Sequence, residues 1–171
     1  MSVHLLMEGQ HPAQQRLAFE ELLAHHLSMQ KLRLSVQQER ALAITPADKK
    51  ATSIEHRFRE QLPFQLTRAQ ERVLNDIKQD IAKPYPAMRL VQGDVGSGKT
   101  VVAAIAALLS VESGYQSALM APTELLAEQH FANMQSWCEP LGIKVGWLSS
   151  KVKGKARQAV LAALSLSLIH I

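Results

Sequence analysis

From Ala13 to Thr45 the chain has no glycine and no proline, and Pro12 and Pro46 bracket the stretch. Phe19, Leu22, Leu23, Leu27 and Leu34 recur there at helical spacing, with Glu20, Glu21, Lys31, Arg33, Glu39 and Arg40 between them. The pattern predicts helix. As a single piece it would be about 50 Å long, so it needs a break or a packing partner to cover its apolar stripe.

The segment from Asp48 to Gln61 is charged and poor in large apolar residues, and reads as a helical linker. "LPFQLTRAQERVLNDIKQDI" follows. Thr67 is placed to cap a helix and Gln70, three residues on, completes a capping box. Val73, Leu74 and Ile77 give that helix its apolar face, and "AKPYPAM" with its two prolines is a loop.

After this loop the periodicity changes. "MRLVQ", "SALMAP" and "IKVGWLS" read as short apolar strands. Each leads into a helix: one from Lys99 to Glu112, one from Thr123 to Cys138, and "KGKARQAVLAAL". Apolar strands alternating with helices predict an α/β fold with a parallel sheet and right-handed crossovers. The final "SLSLIHI" alternates serine and leucine, and reads as a short strand or a frayed end that adds apolar surface.

Composition narrows the class. With 171 residues, 47% hydrophobic and 20% charged, the chain is globular in type and long enough for one domain and part of another. The formal net charge is +4 and the pI about 9.4. That suits an anionic partner such as nucleic acid, and equally an ordinary basic protein. The single cysteine, Cys138, permits no internal disulfide and fits a reducing compartment. The start "MSVHLLMEGQHP" lacks a signal-peptide pattern. The longest apolar run, "VVAAIAALL", is far short of a membrane span. The expected setting is the cytoplasm, with no membrane partner.

The most specific chemistry lies between the first predicted strand and its helix. Gly93, Asp94, Val95, Gly96, Ser97, Gly98, Lys99 and Thr100 match the pattern G-x-x-x-x-G-K-[ST]. Glycines let the backbone turn tightly and bring N–H groups to phosphate oxygens. The start of the following helix points further N–H groups at the same anion. Lys99 then neutralises the β- and γ-phosphates, and the Thr100 hydroxyl ligates the Mg²⁺ bridging them. These two are the candidate catalytic residues, with Thr100 the candidate metal ligand; the expected cofactors are ATP and Mg²⁺.

Three further stretches have two readings each. In "LPFQLTRAQ" a glutamine could read the adenine edge with Phe64 packed on the base, or the stretch is a plain capped helix. In "APTELLAEQ" Pro122, Thr123 and Glu124 sit where a strand ends and a helix begins. Open parallel sheets bind ligands at such turns, so the motif could meet a nucleic-acid backbone or could simply cap its helix. "KVKGKAR" places Lys151, Lys153, Lys155 and Arg157 together, as a phosphate patch or a solvated turn.

Taken together, "LPFQLTRAQERVLNDI", "RLVQGDVGSGKTVVAAIAAL", "GYQSALMAPTELLAEQHF" and "PLGIKVGWLSSKVKGKAR" resemble the superfamily 2 helicases, and more closely the bacterial RecG-type branch-migration helicases. "RLAFEELLAHHLSMQKLR" resembles the linker before the motor in that family. Related translocases, such as the transcription-repair coupling factor and the primosome helicase, carry a similar loop; "FQLTRAQ" and "KGKAR" favour the RecG type. The resemblance implies a RecA-like lobe, here an incomplete parallel sheet preceded by a helical linker. It implies an ATP-driven motor that remodels branched DNA, such as forks and Holliday junctions, in recombination and repair.

On this reading residues 1–60 are linker, 61–157 the N-terminal part of the first motor lobe, and 158–171 an aberrant or truncated tail. The resemblance makes Gln70 the adenine reader and Phe64 its stacking partner. It gives Pro122, Thr123, Glu124, Lys153 and Lys155 to DNA. Glu124 departs from the family, whose commoner form has arginine there. The family also uses an Asp-Glu pair after an apolar strand to hold Mg²⁺ and orient water. After Arg157 there is no Asp or Glu, and the only adjacent acidic pair is Glu20-Glu21. The chain alone is therefore expected to bind nucleotide at most and to fold poorly, with bare strand edges. The alternatives are a non-catalytic ATP- or DNA-binding remnant, or a piece of a related translocase. A kinase lacks support, since no acceptor site or lid is evident.

Overall fold

The computed structural model describes residues 11–45 and 53–166, together with Met7. The described residues form two compact units. One holds the N-terminal helix and the 84–88 segment; the other runs over 43–83 and from Arg89 onward.

In the first unit, α1 spans Pro12–Gln37. His11 caps it through its ring nitrogen, and Pro12 occupies the first helical turn, where a missing N–H costs nothing. No α1 residue is buried. Phe19, Leu22, Leu27 and Leu34 of the stripe seen in the sequence are all more than half exposed.

The second unit is built around one apolar helix. Its elements are α2 (Ile54–Gln61), α3 (Arg68–Ile81), α4 (Lys99–Glu112), α5 (Glu124–Cys138) with a 3-10 turn at Glu139–Leu141, and α6 (Gly154–Ser165). Val101, Val102, Ala104, Ile105, Leu108 and Leu109 of α4 are buried. Against them pack Phe58 of α2, Leu74 of α3, and Met134 and Cys138 of α5. The Phe58 ring meets Trp137 edge-on, with centroids 5.8 Å apart. Each fully buried large side chain in such a cluster contributes on the order of 1.5–3 kcal/mol.

Local sequence explains the helix starts. Ser53, Thr67 and Thr123 cap α2, α3 and α5 with their hydroxyls. At α3 the predicted capping box is complete: Gln70 N–H donates to Thr67 Oγ1 at 3.3 Å, and Thr67 N–H donates to Gln70 Oε1 at 2.7 Å. The helix over Lys99–Glu112 has the bounds read from the sequence. The last, α6, runs unbroken through Gln158.

The predicted strands are not formed. Residues 88–92, 117–122 and 143–149 carry no regular structure, and no strand occurs among the described residues. A strand exists by its inter-strand ladder. Ala118–Ala121 and Val145–Leu148 instead line one cavity of about 260 Å³ together with Phe131 and Met134. The final residues of "SLSLIHI", 167–171, lie outside the described residues.

Candidate functional site

The loop between the 88–92 segment and α4 takes the conformation its glycines permit. Gly96 and Gly98 have φ of 80° and 79°, in the left-handed region. At Gly98 a Cβ would also push the Gln70 amide aside, but the left-handed φ is what requires glycine there. Gly98 is the N-cap of α4, and no side chain caps that helix start. The first N–H groups of any helix lack intrahelical partners. Here they and the helix dipole form a site suited to phosphate.

Lys99 folds back over its own loop. Its ammonium donates to the Gly93 and Asp94 carbonyls, both at 2.6 Å, and lies 3.4 Å from Ser97 Oγ. Lys99 is exposed and Thr100, beside it on the first turn of α4, is half-buried. Val95 at the tip of the loop is fully exposed. The sequence-predicted loop residues Gly93 to Thr100 are therefore brought together at one helix end.

Gln70 links this loop to α3. Its Oε1 accepts from Thr67 N–H, and its Nε2 donates to the Ser97 carbonyl at 2.9 Å. Both ends of the amide thus hold backbone groups of the protein. Phe64, half-exposed, lines a separate cavity of about 240 Å³ with Arg59, Leu62, Gln65, Leu66 and Glu71. Gln70 does not line that cavity.

An ion-pair network that sequence reading missed supports this corner. Arg59 of α2 donates to Glu55 at 3.0 and 2.7 Å. It also binds Glu71 of α3 through two nitrogens, one contact at 3.1 Å and one shorter. Lys78 Nζ binds both oxygens of Glu55, at 2.8 and 2.7 Å. Burial pushes the Glu55 carboxyl up, but the hydrogen bonds and charges of Lys78 and Arg59 outweigh it and hold the group below its ordinary range. The hydrogen bond to Glu71 pushes Arg59 up, against burial. Only the Glu55–Arg59 pairing, four residues apart on one helix, had a local sequence signal.

The second candidate region gathers two motifs. Thr123 Oγ1 accepts from Leu126 N–H at 3.3 Å, so its hydroxyl caps α5. Glu124 Oε2 pairs with Lys151 Nζ at 3.0 Å, which brings the "PTE" turn beside the basic turn. The bond and charge of Glu124 push the Lys151 ammonium up. Pro122, Lys153 and Lys155 are exposed.

Among the described residues no cluster of three or more His, Cys, Asp or Glu could hold a metal ion. Mg²⁺ commonly takes only one or two protein ligands and shares the rest with phosphates and water. The Thr100 hydroxyl at the loop fits that role. No described helix is long and apolar enough to cross a membrane.

The chain is similar to known helicases. The chain is 57% identical over all 171 residues to the ATP-dependent DNA helicase RecG of Haemophilus influenzae, covering 24% of that protein. It is 45% identical over 161 residues to RecG of Bacillus subtilis, covering 93% of this chain and 23% of that one. The chain thus spans about a quarter of the length of the curated relatives it matches. A solved structure of RecG bound to a three-way DNA junction matches with a TM-score of 0.76 and 36% identity, over 88% of this chain and 20% of that one. The DEAD/DEAH box helicase family model matches residues 67–171, a span that holds the capping box, the glycine loop and both DNA-motif candidates. The chain belongs to the DEAD/DEAH box helicase family.

Proposed function

We propose that this chain is the nucleotide-capturing part of a RecG-type, ATP-dependent DNA helicase acting on branched DNA. The observation that carries the reading is the uncapped start of α4 behind a glycine loop, with Lys99 folded over it and Gln70 tied to it. The relatives are named as ATP-dependent DNA helicases, and the matching structure holds a DNA junction. In the reading, residues 61–157 contribute to a RecA-like motor lobe and 1–60 to a helical linker, and the lobe works in the cytoplasm.

Capture follows from the contacts. Phosphate oxygens take the loop N–H groups, and the Lys99 ammonium exchanges the Gly93 and Asp94 carbonyls for the β- and γ-phosphates. Bound Mg²⁺ would neutralise phosphate charge, with the Thr100 hydroxyl as its protein ligand. Phe64 offers its half-exposed ring to the adenine. Gln70 reads the adenine edge by giving up existing bonds to Thr67 and Ser97, which makes base occupancy felt at the loop. Lys153 and Lys155 contact the DNA backbone. Glu124 carries the wrong charge for phosphate, and its pairing with Lys151 offsets that. The only adjacent acidic pair in the chain, Glu20-Glu21, lies in α1, so the step assigned to this chain is binding and not hydrolysis.

Calorimetric titration with Mg-ATP tests the reading. The chain should bind saturably, and Lys99→Ala should weaken binding at least about tenfold, the loss of a charge-assisted contact. Equal affinity in the two proteins would contradict it.

A further inference from the structure

The charges of α3 are not balanced within the chain. Its three carboxylates all hold cations: Glu71 binds Arg59, Asp76 pairs with Arg89 at 3.2 Å, and Asp80 pairs with Arg89 at 2.6 Å and Lys83 at 2.9 Å. Its lysine, Lys78, is held by Glu55. Arg68 and Arg72 are left over. Both are exposed, and neither side chain has an ion-pair or hydrogen-bond partner among the described residues. Asp76, four residues on from Arg72, is engaged by Arg89 instead.

Their placement does not serve the helix. Arg68 and Arg72 stand four residues apart, so two like charges are neighbours on one face. Arg68 also lies in the first turn, beside the positive end of the helix dipole. Both arrangements disfavour α3 and raise the positive potential along it. Asn75 and Gln79 continue the same face at helical spacing, and both are exposed. The four side chains make a stripe about 16 Å long, and every carboxylate of the helix is paired to one side of it. Two guanidiniums and two carboxamides in line suit an extended anion better than a single phosphate. These side-chain types are among those that hold a sugar-phosphate backbone. The length is that of about five steps of one strand, at about 3.4 Å each. Gln70 lies roughly opposite on the helix, so an occupant of the stripe leaves the Gln70 contact to the glycine loop alone.

We propose that Arg68, Arg72, Asn75 and Gln79 form a second surface for a nucleic-acid backbone, apart from the "PTE" and "KGKAR" turns. The inference rests on the DNA-binding reading above and adds a surface to it. Its contacts are to phosphate, so they position a strand without reading its sequence.

The test follows binding of a labelled three-way DNA junction to the full chain across a salt series. With Arg68→Gln and Arg72→Gln together, affinity at low salt should fall about tenfold or more, and the slope of log K against log salt should shrink by about two. Arg68→Lys with Arg72→Lys keeps both charges and should keep the slope. The glutamine variant should melt no lower than the parent, since a like-charge pair is removed. An unchanged slope in that variant overturns the inference and leaves the DNA reading standing. A parent chain that binds no junction at low salt defeats that reading, and the inference with it. Weakened binding of poly-glutamate with junction binding unchanged would give the stripe to an acidic protein, and overturn the inference.

Discussion

The Gln70 side-chain amide donates to the Ser97 carbonyl at 2.9 Å, across 27 residues of sequence. The same amide closes the capping box at the start of α3. One residue thus joins the start of a helix to the glycine loop. Gln70→Ala should weaken Mg-ATP binding by about fivefold, the cost of one hydrogen bond, and lower stability by ~1 kcal/mol through the lost cap. Fluorescent-nucleotide titration and urea unfolding check the two effects separately.

Gly98→Ala should be damaging for two reasons that can be separated. Its φ of 79° costs an L-residue about 1–2 kcal/mol. The added Cβ also meets the Gln70 amide. In a Gln70→Ala background the clash is gone and only the backbone strain remains. The double mutant should therefore be more stable than the sum of the single effects predicts, a coupling readable in a double-mutant cycle.

The Glu55 network should leave a mark on acid stability. Its carboxyl is held below the ordinary value of 4.5 by Lys78 and Arg59, despite burial. A depressed folded-state value means stability that is present above the unfolded value and lost as pH falls through the folded one. Glu55→Gln should reduce stability at pH 7 by about 1–3 kcal/mol. It should also flatten the decline below roughly pH 4.5, since the variant has no proton to take up there. Urea midpoints measured from neutral to acid pH check both.

Phe58 is 1% exposed at the meeting of α2, α4 and α5, with its ring against Trp137. Phe58→Ala should cost about 3–5 kcal/mol. Denaturant unfolding checks it.

If Lys153 and Lys155 contact DNA phosphates, each change to alanine should reduce the salt slope of junction-DNA binding by about one. Loss of affinity with an unchanged slope would remove that assignment.

What the sequence reveals here is mostly local. The Thr67–Gln70 capping box, the Thr123 cap and the bounds of α4 follow from residues a few positions apart, and the structure has them. The glycine loop proposed to hold phosphate rests on a contiguous motif, Gly93 to Thr100. The three expected strands are not formed among the described residues, because apolar runs specify only a tendency. A ladder needs neighbours, and residues 118–121 and 145–148 line one cavity instead. Arg59–Glu71 and Glu124–Lys151 were invisible because twelve and more residues separate the partners. The dual engagement of Gln70 was half legible: the Thr67 bond has a motif and the Ser97 bond has none.

The most direct test of nucleotide capture at this loop is hydrogen exchange with and without Mg-ATP. Exchange of the backbone amides from Gly96 to Thr100 should slow on adding Mg-ATP, and Lys99→Ala should abolish the effect. Protection confined to other segments, or equal protection in Lys99→Ala, would contradict the assignment of the loop as the phosphate site.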